Sequence, residues 1–271
     1  MTDKLQRFFM SDGRITIDQQ GHILLIGVDR QDKLNSFTVS MYQELAAAYG
    51  RLNADADLRC GVLYAHGKHF SAGLDLPQWA AALGAGKFPD LPEGGCDPFG
   101  FDAERRLTKP MLMATQGICY TIGLELLLAT DIRVAARNTR FGQIEIKRGI
   151  YPAGGGTFRL FHEVGWGNAM RYLLTSDEFR AEEAYRMGVV QELVEPGEQV
   201  DRALALAEVV AAQAPLGVYA TLKSARLARL EGESAAAEQL LTDMIPLMAS
   251  EDAQEGLRSF IEKRPAHFKG R

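Results

Sequence analysis

A chain of 271 residues, 46% hydrophobic and 24% charged, carries enough apolar content for one good core and a smaller appendage, which excludes intrinsic disorder. Its formal net charge of -5, with no lysine or arginine stripe, excludes a phosphate-tracking surface and with it nucleic acid as a partner. Three widely spaced cysteines, Cys60, Cys96 and Cys119, make neither a disulfide framework nor a zinc site and fit a reducing compartment.

The N-terminal MTDKLQRFFMSDGR lacks the apolar core of a signal peptide. The longest apolar run, near Ile122, is too short to span a bilayer and contains an acid. A cytoplasmic protein without membrane contact is the expectation. In chain order, Arg14 to Asp18 and His22 to Val28 read as strands joined at Gln20-Gly21. Thr38 or Ser40 caps a helix through Asn53, and Cys60 to Tyr64 is a short buried strand, so a crossover and a parallel sheet are predicted. The loop HFSAGLDLPQW, His69 to Trp79, turns into a short helix for which Asp75 is the natural cap. Gly84 to Gly100 is rich in glycine and proline, a length of loop that tends to be functional or mobile.

Asp102 to Thr108 is predicted as a short helix, Pro110 to Thr115 as a buried strand, and Ile122 to Ala129 as a helix following a turn punctuated by Gly117 and Gly123. Asp131 to Ala136 is a further core strand, Asn138 to Arg148 is expected to be extended, and YPAGGGTFRL leads into a helix through Val164. Short helices at Asn168 to Leu174 and Ala181 to Met187, with Gly188 as C-cap, precede an extended link, Val189 to Val194. Gln199 to Ala214, Leu216 to Leu230, Glu233 to Ala249 and Glu251 to Glu262 are helical by period, with breaks expected at Pro215, Gly232 and Pro246. The pattern divides the chain into an α/β core over residues 1–195 and a helical C-terminal region over 196–271.

Within the apolar run sits one acid, Glu125. Its neighbours three and four positions away on a helix are Thr121, Ile122, Leu128 and Ala129, so no solvated face is open to it. A carboxylate buried without a partner costs roughly several kcal/mol, so Glu125 has a shifted pKa, a purpose, or a hydrogen bond to a neighbouring loop. The loop SAGLD and the helix start at Ile122 both present unpaired N–H groups, which suit a developing negative charge. Two such amides aimed at one oxygen make an oxyanion hole. Glu145 shares an extended face with Gln143 and Lys147, opposite Ile144 and Ile146, which by itself reads as a solvated strand edge. His69 and His162 read as loop and helix-surface residues, Cys119 as packing, and Asp131 as structural. Gly154 to Gly156 lacks the GK[ST] ending of a P-loop.

In combination these stretches resemble the crotonase (enoyl-CoA hydratase/isomerase) superfamily. HFSAGLDL is similar to its first oxyanion loop, QGICYTIGLELLLATDIRVAA to its second oxyanion segment, RFGQIEIKRGIYPAGGGTFRL to its second catalytic segment, and EDAQEGLRSFIEKRPAHFKG to its ending. Six residues from Glu125 to Asp131 and fourteen from Asp131 to Glu145 fit the family spacing, and the resemblance runs from about Ile15 onward.

The resemblance implies a crotonase-like ββα-repeat spiral core, with residues 196–271 serving trimerisation. It implies that the amides of Leu74 and Ile122 hold a thioester oxygen, that Glu125 handles water, and that Glu145 handles the proton at Cα. Ala72, Gly73, Asp75 and Ala153 would lie against the substrate, and Phe260 and Lys263 against CoA bound by a neighbouring subunit of a homotrimer or hexamer. The implied reaction is syn addition of water to a 2-enoyl-CoA, without metal or redox cofactor, CoA being part of the substrate. A Δ3,Δ2-enoyl-CoA isomerase, which needs only Glu145, and a non-catalytic acyl-CoA-binding protein are the alternatives. Two departures stand out: Thr121-Ile122-Gly123 replaces a glycine-rich run, and Ala153 stands where glycine is common. Both positions keep their amide, while isoleucine crowds the pocket. The Gly84–Gly100 loop, with Phe88, Pro92 and Phe99, is expected to shape the acyl pocket.

Overall fold

A computed structural model describes residues 12–271. Strands β1 (Arg14–Gln20) and β2 (Ile23–Asp29) form an antiparallel hairpin, with Arg14 opposite Asp29 and Gln20 opposite Ile23. Strands β3 (Cys60–Ala65), β4 (Met111–Thr115), β6 (Ile132–Ala136) and β9 (Glu192–Val194) extend it in parallel, in the order β1-β2-β3-β4-β6-β9. The central strands are mostly apolar, Arg133 of β6 and Thr115 of β4 excepted, because both faces of a parallel sheet are covered. Alternate residues serve alternate cores: Leu24, Ile26 and Val28 face one side, and Ile23 and Leu25 the other.

On the first side lies α1 (Val39–Ala54), whose Thr38 hydroxyl accepts from the Met41 amide at 3.1 Å and whose Met41, Leu45, Ala48 and Leu52 are buried. On the second side lies α7 (Gln199–Ala211), which packs Ala203, Ala207 and Ala211 against Ile23, Cys60, Val62, Leu112 and Val134. Alanines four apart let this helix sit close to the sheet, so the first helix after residue 195 is part of the sheet's own packing. Beyond it come α8 (Pro215–Glu231), α9 (Glu233–Met248) and α10 (Glu251–Glu262).

A second sheet joins β5 (Ile118–Tyr120), β7 (Arg140–Gly142) and β8 (Phe179–Arg180). The helices between α1 and α7 are α2 (Leu76–Gly84), α3 (Ile122–Ala129), α4 (Gly156–Val164), α5 (Trp166–Thr175) and α6 (Ala181–Met187), of which α3 and α6 pack on the second sheet. Among the described residues no single helix is long and apolar enough to cross a membrane.

Local expectations are corrected at four places. Residues 102–108 form turns instead of a helix, because side chains capture the backbone donors. Asp97 takes the amides of Phe99 (2.9 Å), Phe101 (2.6 Å) and Asp102 (3.0 Å), and Asp102 takes that of Glu104 (2.9 Å). The strand after Asn138 stops at Gly142, and Glu145–Arg148 is a 3-10 turn. Pro246 lies inside α9 and does not break it: the helix runs on to Met248. Asp75 stands at the start of α2 but makes no side-chain cap; its Oδ2 lies 2.9 Å from Arg30 Nη2 instead.

Candidate active site

Backbone pairing sets the first wall of the site. Ser71 bridges to Cys119 and Leu74 bridges to Phe37, which straps the loop between the second sheet and the segment ahead of α1. Phe37 donates to the Gly73 carbonyl (2.8 Å) and Asp75 donates to the Phe37 carbonyl (2.9 Å). These bonds occupy the loop on either side of Leu74, whose own N–H has no acceptor among the described residues. The Ile122 N–H opens α3 and is likewise without an acceptor among the described residues.

One turn into α3, Glu125 is 4% exposed. Its Oε1 accepts from the Gly156 amide at 3.1 Å, at the start of α4. Gly154 presses so close that a Cβ there would fall 2.6 Å from Glu125 Oε2. Burial pushes the Glu125 carboxyl up to about 7, against the downward pull of the Gly156 and Gly154 amides and the Arg159 charge. Glu145 opens the 3-10 turn and is also buried. Burial first, then the charge of Glu125, pushes it up to about 8. Gln143, with its amide nitrogen turned toward Glu145, donates to Oε1 (2.8 Å) and Oε2 (3.1 Å).

Leu74, Ile122, Glu125, Glu145 and Gly154 border one cavity of about 680 Å³. Seven of the residues expected from the sequence line it: Ala72, Gly73, Leu74, Ile122, Glu125, Glu145 and Ala153. Trp79, Leu83, Phe88 and Phe99 supply apolar walls, so the Gly84–Gly100 loop does contribute to the pocket. Lys87, Arg148 and the exposed Tyr151 also border it. Asp75, Phe260 and Lys263 do not line it. Asp75 is engaged with Arg30, Phe260 is 82% exposed on α10, and Lys263 closes that helix in the left-handed region. His69 serves the loop, its Nδ1 accepting from the Ile118 amide at 3.1 Å. Cys119 is fully buried and its thiol is pushed well up by desolvation, so it packs and does not attack. Among the described residues no cluster of His, Cys, Asp or Glu is arranged to hold a metal ion.

Gln143 and Arg159 were not singled out by sequence. Gln143 carried a signal, its shared parity with Glu145, but that parity was read as solvated. Arg159 falls three residues after Gly156 in the first turns of α4, and only the fold brings it to Glu125.

A family model described as enoyl-CoA hydratase/isomerase matches residues 18–271. The chain belongs to the enoyl-CoA hydratase/isomerase family. It is 35% identical over 258 residues to an enoyl-CoA hydratase of Mycobacterium tuberculosis, EchA19, covering 94% of this chain and 96% of that one. It is also 35% identical to the mevalonyl-coenzyme A hydratase SIDH of Beauveria bassiana, covering 90% of each chain. A crystal structure of a probable enoyl-CoA hydratase/isomerase from Mycobacterium abscessus is 49% identical and superposes with a TM-score of 0.92, covering 95% of this chain and 98% of that one. The crotonase fold expected from the sequence motifs is therefore the fold of this chain, mixed α/β with a helical C-terminal region.

Proposed function

We propose that this family member is an enoyl-CoA hydratase, adding water reversibly and syn across a 2-enoyl-CoA thioester. The observation that carries this reading is a pair of buried carboxyls, raised to about 7 and about 8, in a cavity also bordered by two unpaired amides. The thioester oxygen accepts from the Leu74 and Ile122 N–H groups. Water sits between the two acids. Ionised Glu125 takes a proton from it as the oxygen bonds to Cβ, and the electron pair of the double bond moves toward the carbonyl as an enolate. Protonated Glu145 then delivers its proton to Cα, and proton exchange with solvent resets the pair. The mutual repulsion of two close carboxylates favours the singly protonated pair that this sequence requires.

Hydration moves no electrons to an acceptor, and CoA arrives as part of the substrate, so the scheme needs no further cofactor. Lys87 and Arg148 offer cationic partners for CoA phosphates. The walls of Trp79, Leu83, Phe88 and Phe99 suit an apolar acyl group. Phe260 and Lys263 would reach CoA in a neighbouring subunit of a homotrimer or hexamer working in the cytoplasm, in the metabolism of fatty or related acyl thioesters. An isomerase would use Glu145 alone, and the hydrogen bond from the Gly156 amide, which fixes Glu125 against the start of α4, favours the hydratase.

The test is purified protein with a panel of 2-enoyl- and 3-enoyl-CoA thioesters, followed by product mass. A gain of one water from the 2-enoyl set is expected. Double-bond migration without mass change supports the isomerase, and silence across the panel supports an acyl-CoA-binding protein. Glu145→Gln is expected to abolish turnover, and Glu125→Gln to abolish hydration; normal hydration by Glu125→Gln overturns the assignment of water to that residue.

A further inference from the structure

The residue that aims the second amide is strained. Thr121 has φ 49° and ψ -116°, close to the first central position of a type II′ turn, where glycine is the ordinary occupant. A β-branched residue held there costs about 1–3 kcal/mol. The peptide group that carries the Ile122 N–H is oriented by the ψ angle of Thr121, so the strain sits in the torsion that points this donor. The side chain adds a second penalty. Thr121 Oγ1 is buried and has no hydrogen-bond partner among the described residues, which costs about 1–3 kcal/mol for a hydroxyl taken out of water. Glycine at 121 would remove both penalties.

The orphaned hydroxyl lies between the two donor segments. A Cβ built on Gly73 would meet Thr121 Oγ1 at 2.6 Å, so the oxygen rests against the residue immediately before Leu74. On its own segment it is one residue from the Ile122 amide, and Thr121 borders the same cavity as both. We propose that the Thr121 hydroxyl is a third donor to the thioester oxygen, a catalytic residue for which the strain at 121 is retained. The inference rests on reading the site as one that binds a thioester. The hydroxyl hydrogen, without an acceptor in the free protein, gains one when substrate binds, and that bond strengthens as the carbonyl becomes an enolate.

Thr121→Val keeps the branch and volume and deletes the donor; Thr121→Ser keeps the donor; Thr121→Gly deletes the donor and relieves the strain. Each is assayed for kcat and KM with a 2-enoyl-CoA and for the Raman carbonyl stretch of the bound thioester. Thr121→Val and Thr121→Gly are expected to lose about 10²-fold in kcat with KM nearly unchanged, and to shift the carbonyl stretch back toward its value in water. Thr121→Ser is expected to stay within a few-fold of wild type, and Thr121→Gly to melt no lower than wild type. Wild-type kcat and stretch in Thr121→Val overturn the proposal, as do equal losses in the valine and serine variants, which would make the residue a spacer. If the wild type hydrates no thioester, the functional reading fails instead, and the stretch of a bound acyl-CoA in wild type against Thr121→Val still decides whether the hydroxyl donates.

Discussion

Glu125 and Glu145 are both buried, and burial has a consequence for stability. In an unfolded chain a glutamate titrates at about 4.3. In the fold these two hold their protons up to about 7 and about 8. The folded state therefore binds protons more tightly than the unfolded one, and stability falls as pH rises from about 4 through about 8, then levels off. Glu145→Gln removes one of the two ionisations. The variant is expected to match the wild type in stability at pH 4 and to exceed it at pH 9, by on the order of 5 kcal/mol. Thermal melts at the two pH values check this; coincident melts at pH 9 would mean that Glu145 ionises in the fold without penalty. This residue also marks the limit of local reading. Glu125 was legible because an acid in an apolar run has nowhere to go on its own helix. Glu145 looked solvated by parity, and only the order and spacing of several motifs brought it to the site. Its burial comes from the 3-10 turn after Gly142, which breaks the parity.

Elements rather than single residues hold the two acids in place. The strands β3, β4 and β6 and the helix α3 were legible as bounded apolar runs, since burial on all sides leaves a local mark. The turns that join them were less so: the Asp97 carboxylate organises residues 99–102 through amides that no periodicity reveals. The entry to α4 is such an element. Its first amide, on Gly156, holds Glu125, and the preceding turn packs Gly154 against that carboxylate. A methyl group at 154 would lie 2.6 Å from both Glu125 Oε2 and Phe99 Cε1. Gly154→Ala is therefore expected to push the carboxyl off its amide. A displacement near 1 Å at a reacting group costs about 10²-fold in rate, so kcat should drop by that order while the far-UV spectrum stays native. An alanine variant with undiminished kcat would show that the site tolerates movement of Glu125.

At the scale of the whole molecule, α9 and α10 carry exposed apolar side chains without a partner among the described residues. On α9, Leu241 (81% exposed), Ile245 (69%) and Met248 (68%) recur at helical spacing, and on α10 Phe260 (82%) and Ile261 (69%) stand equally open. Apolar surface in such a run suits a protein–protein contact, and closed symmetric assembly is the common way to cover it. Sedimentation equilibrium of the wild type is expected to give a multiple of three times the 29.8 kDa chain. Charges placed in the face, as in Leu241→Glu with Ile245→Glu, should release a 29.8 kDa species. The four groups proposed to act on the thioester, Leu74, Ile122, Glu125 and Glu145, border a cavity within one chain. Phe260 and Lys263 lie outside that cavity, on the helix that carries the open face. If they reach CoA across the contact, separation should raise KM for the thioester several-fold and leave kcat nearly intact. A monomeric variant with wild-type KM would confine the CoA site to a single chain, and a wild type that sediments as a monomer would leave the face on α9 and α10 to some other partner.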